Sequence, residues 1–153
     1  MRNFDSGIEH NCACYCRDSG IGYGGQCKVI YDYFKPASYT LVDLPEVVKL
    51  AERYHRDYNY EGIKYLTQDQ LPEGVEYDLV ISNYAFTECA RPVQLGYVEK
   101  VVKQSKKGYI TYNDISQQFG IDSLSKQEFK SLISCSEKIE EPISGNNNCI
   151  LYW

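Results

Sequence analysis

The densest chemical signal in the chain is Asp18-Ser19-Gly20-Ile21-Gly22-Tyr23-Gly24-Gly25. Glycines packed this closely permit a tight strand-to-helix turn and let a ligand approach the backbone. A helix starting near Gly24 would aim its free N–H groups at that ligand. Two patterns fit at once. Gly20, Gly22 and Gly25 form G-x-G-x-x-G, the turn that cradles a dinucleotide pyrophosphate. Asp18, Gly20, Gly22 and Gly24 form an acidic residue two places ahead of G-x-G-x-G. Asp18 separates the two, because a carboxylate there would repel a pyrophosphate and suit a cationic amine.

Asp43, with Leu44 behind it, comes about 20 residues after the first glycine, where an acidic residue can accept both hydroxyl hydrogens of a ribose. Asp43 also stands just ahead of a helix, so it could cap that helix instead. Asp69 and Gln70 follow a strand and could meet an adenine amino group, or be an ordinary solvated loop pair. Asn83-Tyr84 ends the next strand and would border the reacting end of the ligand. Glu88 and Asp114 follow the fourth and fifth strands. They are the candidate general bases for a weakly acidic hydroxyl, although Glu88 could sit in a short solvated helix and Asp114 could cap a turn. His10 and His55 fit this role less well. His55 lies among Arg53, Arg56 and Asp57, on a helix face expected to be exposed.

The elements that must position these residues alternate between strand and helix. A weak first strand is expected at 12–19 and a helix at 24–34, ending before Pro36. A strand follows at 38–43. An amphipathic helix at 45–58 carries Val47, Leu50, Ala51, Tyr54 and Tyr58 at helical spacing, with Pro45 in its first turn. Strands are expected at 62–67 and 77–83. The run Leu79-Val80-Ile81 is apolar on both faces, as in a central parallel strand. Pro92 opens a helix buried through Val98, Val101 and Val102, and a strand follows at 108–113. The stretch 115–124 reads as a polar linker. Ser125 and Glu128 form a capping box for a helix at 126–134. Two last strands, 136–143 and 148–153, are joined by Gly145-Asn146-Asn147 as an antiparallel hairpin. This is an α/β order: a Rossmann-like, mostly parallel sheet with helices on both faces.

The 153 residues suit one domain. The net charge of −5 argues against a nucleic-acid partner. The cluster Lys103, Lys106 and Lys107 reads as a solvated helix end. No run is long and apolar enough for a membrane span, and no apolar stretch follows Arg2 to make a secretory signal. Seven cysteines without a C-x-x-C pair argue against zinc, and no acidic triad suggests magnesium, so no metal is expected. The alternating Cys12, Cys14 and Cys16 read as small hydrophobes on one strand face. A reduced, cytoplasmic protein is expected. The fifteen tyrosines do not decide a function.

The blocks GIGYGGQCKVIYDYF, SYTLVDLPEVVKLAERY, YDLVISNYAFTE and KKGYITYND resemble successive blocks of bacterial sugar O-methyltransferases, within the Rossmann-like class I methyltransferases. They span about residues 20–114, with DLPEV and SNYAF the more specific. The resemblance implies a seven-stranded sheet with one antiparallel edge pair and S-adenosylmethionine as cofactor. It implies a small-molecule carbohydrate acceptor, namely a hydroxyl on a sugar or glycan precursor. Asp18, Gly20, Gly22, Gly24, Asp43, Asp69 and Asn83 would line the cofactor pocket. The chain departs from the family at its start. The first strand is cysteine-rich, with Arg17 inside an otherwise buried run, and little precedes it. A single core domain over 1–153, N-terminally truncated or diverged, is therefore expected, which leaves a cofactor-binding module without catalysis as the alternative. A nicotinamide dehydrogenase is disfavoured by Asp18 and by the lack of a Tyr-x-x-x-Lys set on a helix after the fourth or fifth strand. Nucleic-acid amine methylation is disfavoured because Ser82-Asn83-Tyr84-Ala85 is not an Asn/Asp-Pro-Pro-aromatic turn.

Overall fold

The computed structural model describes residues 11–15, 21–139, 145 and 148–153. Seven strands form one sheet: β1 (Asn11–Tyr15), β2 (Ser38–Val42), β3 (Ile63–Leu66), β4 (Leu79–Asn83), β5 (Gly108–Tyr112), β6 (Ser136–Ile139) and β7 (Cys149–Tyr152). Their order is β3-β2-β1-β4-β5-β7-β6. The first five pair in parallel, and β7 lies antiparallel between β5 and β6. The direction of travel across the sheet reverses between β1 and β4, the position where open α/β sheets bind ligands at their carboxyl ends.

The helices are α1 (Gly25–Phe34), α2 (Pro45–His55), α3 (Ala85–Glu88), α4 (Arg91–Lys100), α5 (Ile115–Gln118) and α6 (Lys126–Leu132). Alternate residues of a strand point to opposite faces, and the core divides accordingly. Tyr39, Leu41 and Ile81 pack with Cys27 of α1 and Ala51 of α2. Val42, Val80, Ile110 and Tyr112 pack with Tyr97 and Val98 of α4 and Phe129 of α6. Helices thus cover both faces, as the alternating pattern predicts.

Local signals act as read. Ser125 accepts the Glu128 amide and completes the capping box at the start of α6. Pro45 and Pro92 occupy first turns, and Val98, Val101 and Val102 are buried. Lys103 and Lys106 pair with Glu99 and Asp78. The polar stretch 115–124 contains α5, and both Ser123 and Leu124 are buried. The expected turn at Asn146-Asn147 lies outside the described residues, while Asn148 donates its amide to the Gly145 carbonyl (3.2 Å).

The expected stripe of α2 holds at Ala51 and Val47, which face the core, and is corrected elsewhere. Leu50 is 51% exposed, and the inward residues are Val48, Ala51 and His55. Their spacing of three, then four, keeps them on one helical face. His55, expected to be exposed, is only 3% exposed. An imidazole tolerates this burial when both ring nitrogens have partners, and here both do, as described below.

Candidate functional site

Asp43 follows β2 directly, and its amide bonds the Leu66 carbonyl of the neighbouring strand (3.3 Å). Its carboxylate is carried into the protein, leaving the residue 4% exposed. One carboxylate oxygen accepts the Leu44 amide at 2.7 Å. Leu44 is extended and precedes α2, so Asp43 lies against the start of that helix while its side chain borders a hollow of about 210 Å³. Leu44 and Pro45 form one wall. Thr67, Gln68 and Asp69 form another, and Val93 and Tyr97 of α4 close it. Whole ligand pockets usually measure roughly 300–1,000 Å³, so this hollow suits one end of a ligand.

The wall after β3 is fixed by its own hydrogen bonds. Residues Gln68–Gln70 form a 3-10 turn. Thr67 donates its amide to the Gln70 side chain (2.9 Å) and its hydroxyl to Asp69 (2.6 Å). The Thr67 hydroxyl holds the Asp69 carboxyl below its ordinary range. Asp69 borders the hollow, whereas the Gln70 amide is engaged in the cap. Gln68 donates to the Val93 carbonyl (3.0 Å), tying this turn to α4.

The glycine turn follows β1, next to β2 in the sheet. Asp18 and Gly20 lie outside the described residues, as do His10, Cys16 and Arg17. Gly22 is left-handed (φ 50°), and a Cβ there would meet nothing within 4 Å. Gly24 is left-handed too (φ 91°), but it is buried, and a Cβ there would lie 2.6 Å from the His55 ring. Gly22 therefore faces open space, whereas Gly24 permits the close approach of α1 to α2. Asn83 donates its side-chain amide to Gln26 (3.0 Å), which joins the end of β4 to the first turn of α1.

Tyr84, next along, has φ 65° and ψ −35°. For a bulky residue this is genuine strain, of order 1–3 kcal/mol. It is held there from both sides. Its amide meets the Thr111 hydroxyl (2.7 Å), and its carbonyl accepts the Thr87 hydroxyl (2.6 Å). Glu88 ends α3 and Asp114 precedes α5. These short helices are fastened together, since Ser116 donates to the Thr87 carbonyl (2.6 Å). The two carboxylates thus follow adjacent parallel strands, β4 and β5, and neither borders the 210 Å³ hollow.

A larger hollow, about 580 Å³, lies between α2 and β3 among Lys49, Glu52, Arg53, His55, Arg56, Tyr58 and Tyr65. Of the residues weighed from the sequence, His55 borders it, and none of those assigned to the cofactor or to proton removal does. Among the described residues, no three His, Cys, Asp or Glu side chains gather in a metal-binding group, and no helix is long and apolar enough to cross a membrane.

The sequence reading missed Thr67, Gln68, Val93 and Tyr97. Thr67 and Gln68 adjoin Asp69 and could have been included on proximity. Val93 and Tyr97 reach the hollow from a helix that no local pattern ties to it.

The chain matches no protein-family model and no curated protein sequence. Solved structures do share its fold. The N-methyltransferase NodS from Bradyrhizobium japonicum, crystallised with S-adenosylhomocysteine, aligns at a TM-score of 0.66 and 12% identity, covering 96% of this chain and 78% of NodS. An O-methyltransferase family protein from Burkholderia thailandensis aligns at 0.65 and 13% identity, covering 94% and 50%. An enzyme described as a pericyclic reaction enzyme aligns at 0.60 and 12% identity, covering 99% and 44%. The fold is Rossmann-like. The chain spans about half the length of the last two proteins, and fold alone does not carry activity.

Proposed function

We propose that this chain binds S-adenosylmethionine and transfers its methyl group to a hydroxyl of a sugar or glycan precursor. The observation that carries this reading is Asp43: a buried carboxylate after β2, bordering a hollow at the carboxyl ends of β2 and β3. The residues fit that cofactor. Asp43 would accept the two ribose hydroxyl hydrogens, and Leu44, Thr67 and Tyr97 would enclose the adenine, with Asp69 at its edge. Gly22 and the first turn of α1 would lie along the amino-acid part, with Asn83 beside it. Asp18 and Gly20 are assigned there by the sequence pattern alone. NodS, crystallised with the demethylated cofactor on the same fold, supports this choice.

When bound, S-adenosylmethionine supplies an electrophilic methyl group on a sulfonium. The chain's own contribution is position and proton removal. Tyr84 and Asn83 would border the acceptor at the end of β4. Glu88 or Asp114 would take the hydroxyl proton. The sugar acceptor rests on the DLPEV and SNYAF blocks, and a hydroxyl acceptor agrees with the Burkholderia neighbour.

A second reading is favoured by the pericyclic neighbour, which shows that proteins of this shape are not confined to methyl transfer. In it, the chain binds the cofactor without transferring methyl. Radiolabelled methyl transfer to a panel of sugars and sugar nucleotides separates the two. Label in a sugar, reduced about a hundredfold by Glu88→Gln or Asp114→Asn, supports the first. Cofactor binding with no label in any acceptor sinks it and leaves the second.

A further inference from the structure

His55 closes α2 at a point where three elements meet. Its Nε2 lies 2.9 Å from the Gly24 carbonyl, and its Nδ1 lies 2.8 Å from the Tyr65 hydroxyl of β3. A carbonyl can only accept, so Nε2 carries the proton, and Nδ1 is left to accept from Tyr65. The ring is also packed by Tyr54, Tyr60 and Tyr65, with centroids 5.4 to 5.9 Å away. It therefore has one orientation and one tautomer, and burial favours the neutral form.

The group it holds is not an ordinary loop carbonyl. Gly24 precedes α1, and its carbonyl also accepts the Lys28 amide (3.2 Å), the first bond of that helix. Its amide closes the preceding turn onto the Ile21 carbonyl (2.6 Å). Its left-handed backbone and its contact with the His55 ring leave no room for a Cβ. The direction in which the first turn of α1 points is thus set from behind, by a side chain on α2.

We propose that His55, oriented by Tyr65, is a positioning residue for the glycine turn, fixing the start of α1 in the geometry that receives the cofactor. This deepens the reading above and rests on it for the identity of the ligand. His55 touches neither cofactor nor acceptor in this assignment. It acts through Gly24.

The test compares four variants by calorimetry with S-adenosylhomocysteine, with thermal melting alongside. His55→Leu fills the space without a hydrogen bond, and its dissociation constant should rise about tenfold. His55→Gln places an amide N–H where Nε2 stood and should recover most of that loss. Tyr65→Phe should weaken binding by a smaller factor, since it frees only the ring orientation. Val48→Ala, on the same buried stripe, controls for destabilisation and should leave affinity unchanged. Wild-type affinity in His55→Leu, or an equal loss in Val48→Ala at matched melting temperature, overturns the proposal. Amide hydrogen exchange at residues 24–28 separates this from failure of the cofactor assignment. If the wild type binds no S-adenosylhomocysteine, faster exchange at these amides in His55→Leu than in Val48→Ala still upholds the clamp, and equal exchange ends it.

Discussion

The two faces of the sheet are held by different kinds of contact. Beneath α4 and α6 the described core is a broad apolar cluster running from Val42 to Leu151, with Phe86 set edge-on against Phe129. Beneath α1 and α2 the described cluster is smaller. It is bordered by a buried imidazole and by tyrosines whose hydroxyls seek partners. Apolar packing is strong and undirected. Hydrogen bonds contribute less net stability but fix direction. One face carries stability, while the other fixes the angle at which α1 meets α2 and β3.

The comparison breaks first if the apolar face is not the source of stability. Phe129 is fully buried, and Phe129→Ala should cost about 3–5 kcal/mol in a urea melt while leaving ligand affinity intact in the folded fraction. A cost under about 1 kcal/mol would show that the two faces do not differ in this way. Next comes the polar group buried on that same face. Gln94 donates to the Phe86 carbonyl (2.9 Å) and accepts the Leu124 amide. Gln94→Leu strands both and should cost about 1–3 kcal/mol; a neutral result in the same melt would mean that the helix relaxes around them.

A pH titration sharpens the other face. Burial lowers the pKa of His55 from 6.5, although the Gly24 carbonyl works against that shift. Below pH 6.5 the unfolded chain takes up a proton that the folded chain refuses, so stability present above that pH is lost as pH falls. His55→Gln should flatten this part of the stability profile, and an unchanged slope would assign it to other groups. The smallest effect belongs to Lys28→Ala, which removes an exposed pair with Asp32 one turn away. It should leave the melting temperature almost unchanged, and a large drop would give the surface of α1 a larger role than packing allows.

Much of the fold was legible in the sequence because its signals are local. Leu79-Val80-Ile81 marks a central strand, Ser125 and Glu128 mark a helix start, and Gly145 marks a hairpin. Asp43 was legible for the same reason, since its place after a strand and ahead of a helix is a matter of spacing. His55 was not. Of the expected stripe Val47, Leu50, Ala51, Tyr54 and Tyr58, Ala51 is buried and Val47 packs against the core, whereas Leu50 is exposed and Val48 and His55 turn inward. Only the tertiary partners Gly24 and Tyr65, remote in the chain, make the burial of His55 favourable. The strain at Tyr84 is invisible for a similar reason. Nothing in Ser82-Asn83-Tyr84-Ala85 announces a positive φ, which is imposed by Thr87 and Thr111 together. Val93 and Tyr97 border the hollow through the packing of α4, which no motif encodes.

In the proposed function, Asp43 and its hollow receive the adenosine end of S-adenosylmethionine. Calorimetry of the purified chain with S-adenosylmethionine and with NAD, alongside Asp43→Ala, tests it most directly. Saturable binding of S-adenosylmethionine, none of NAD, and a loss of about 10- to 100-fold in the variant is the predicted result. A folded chain that binds neither ligand, or that binds S-adenosylmethionine equally well without Asp43, would contradict it.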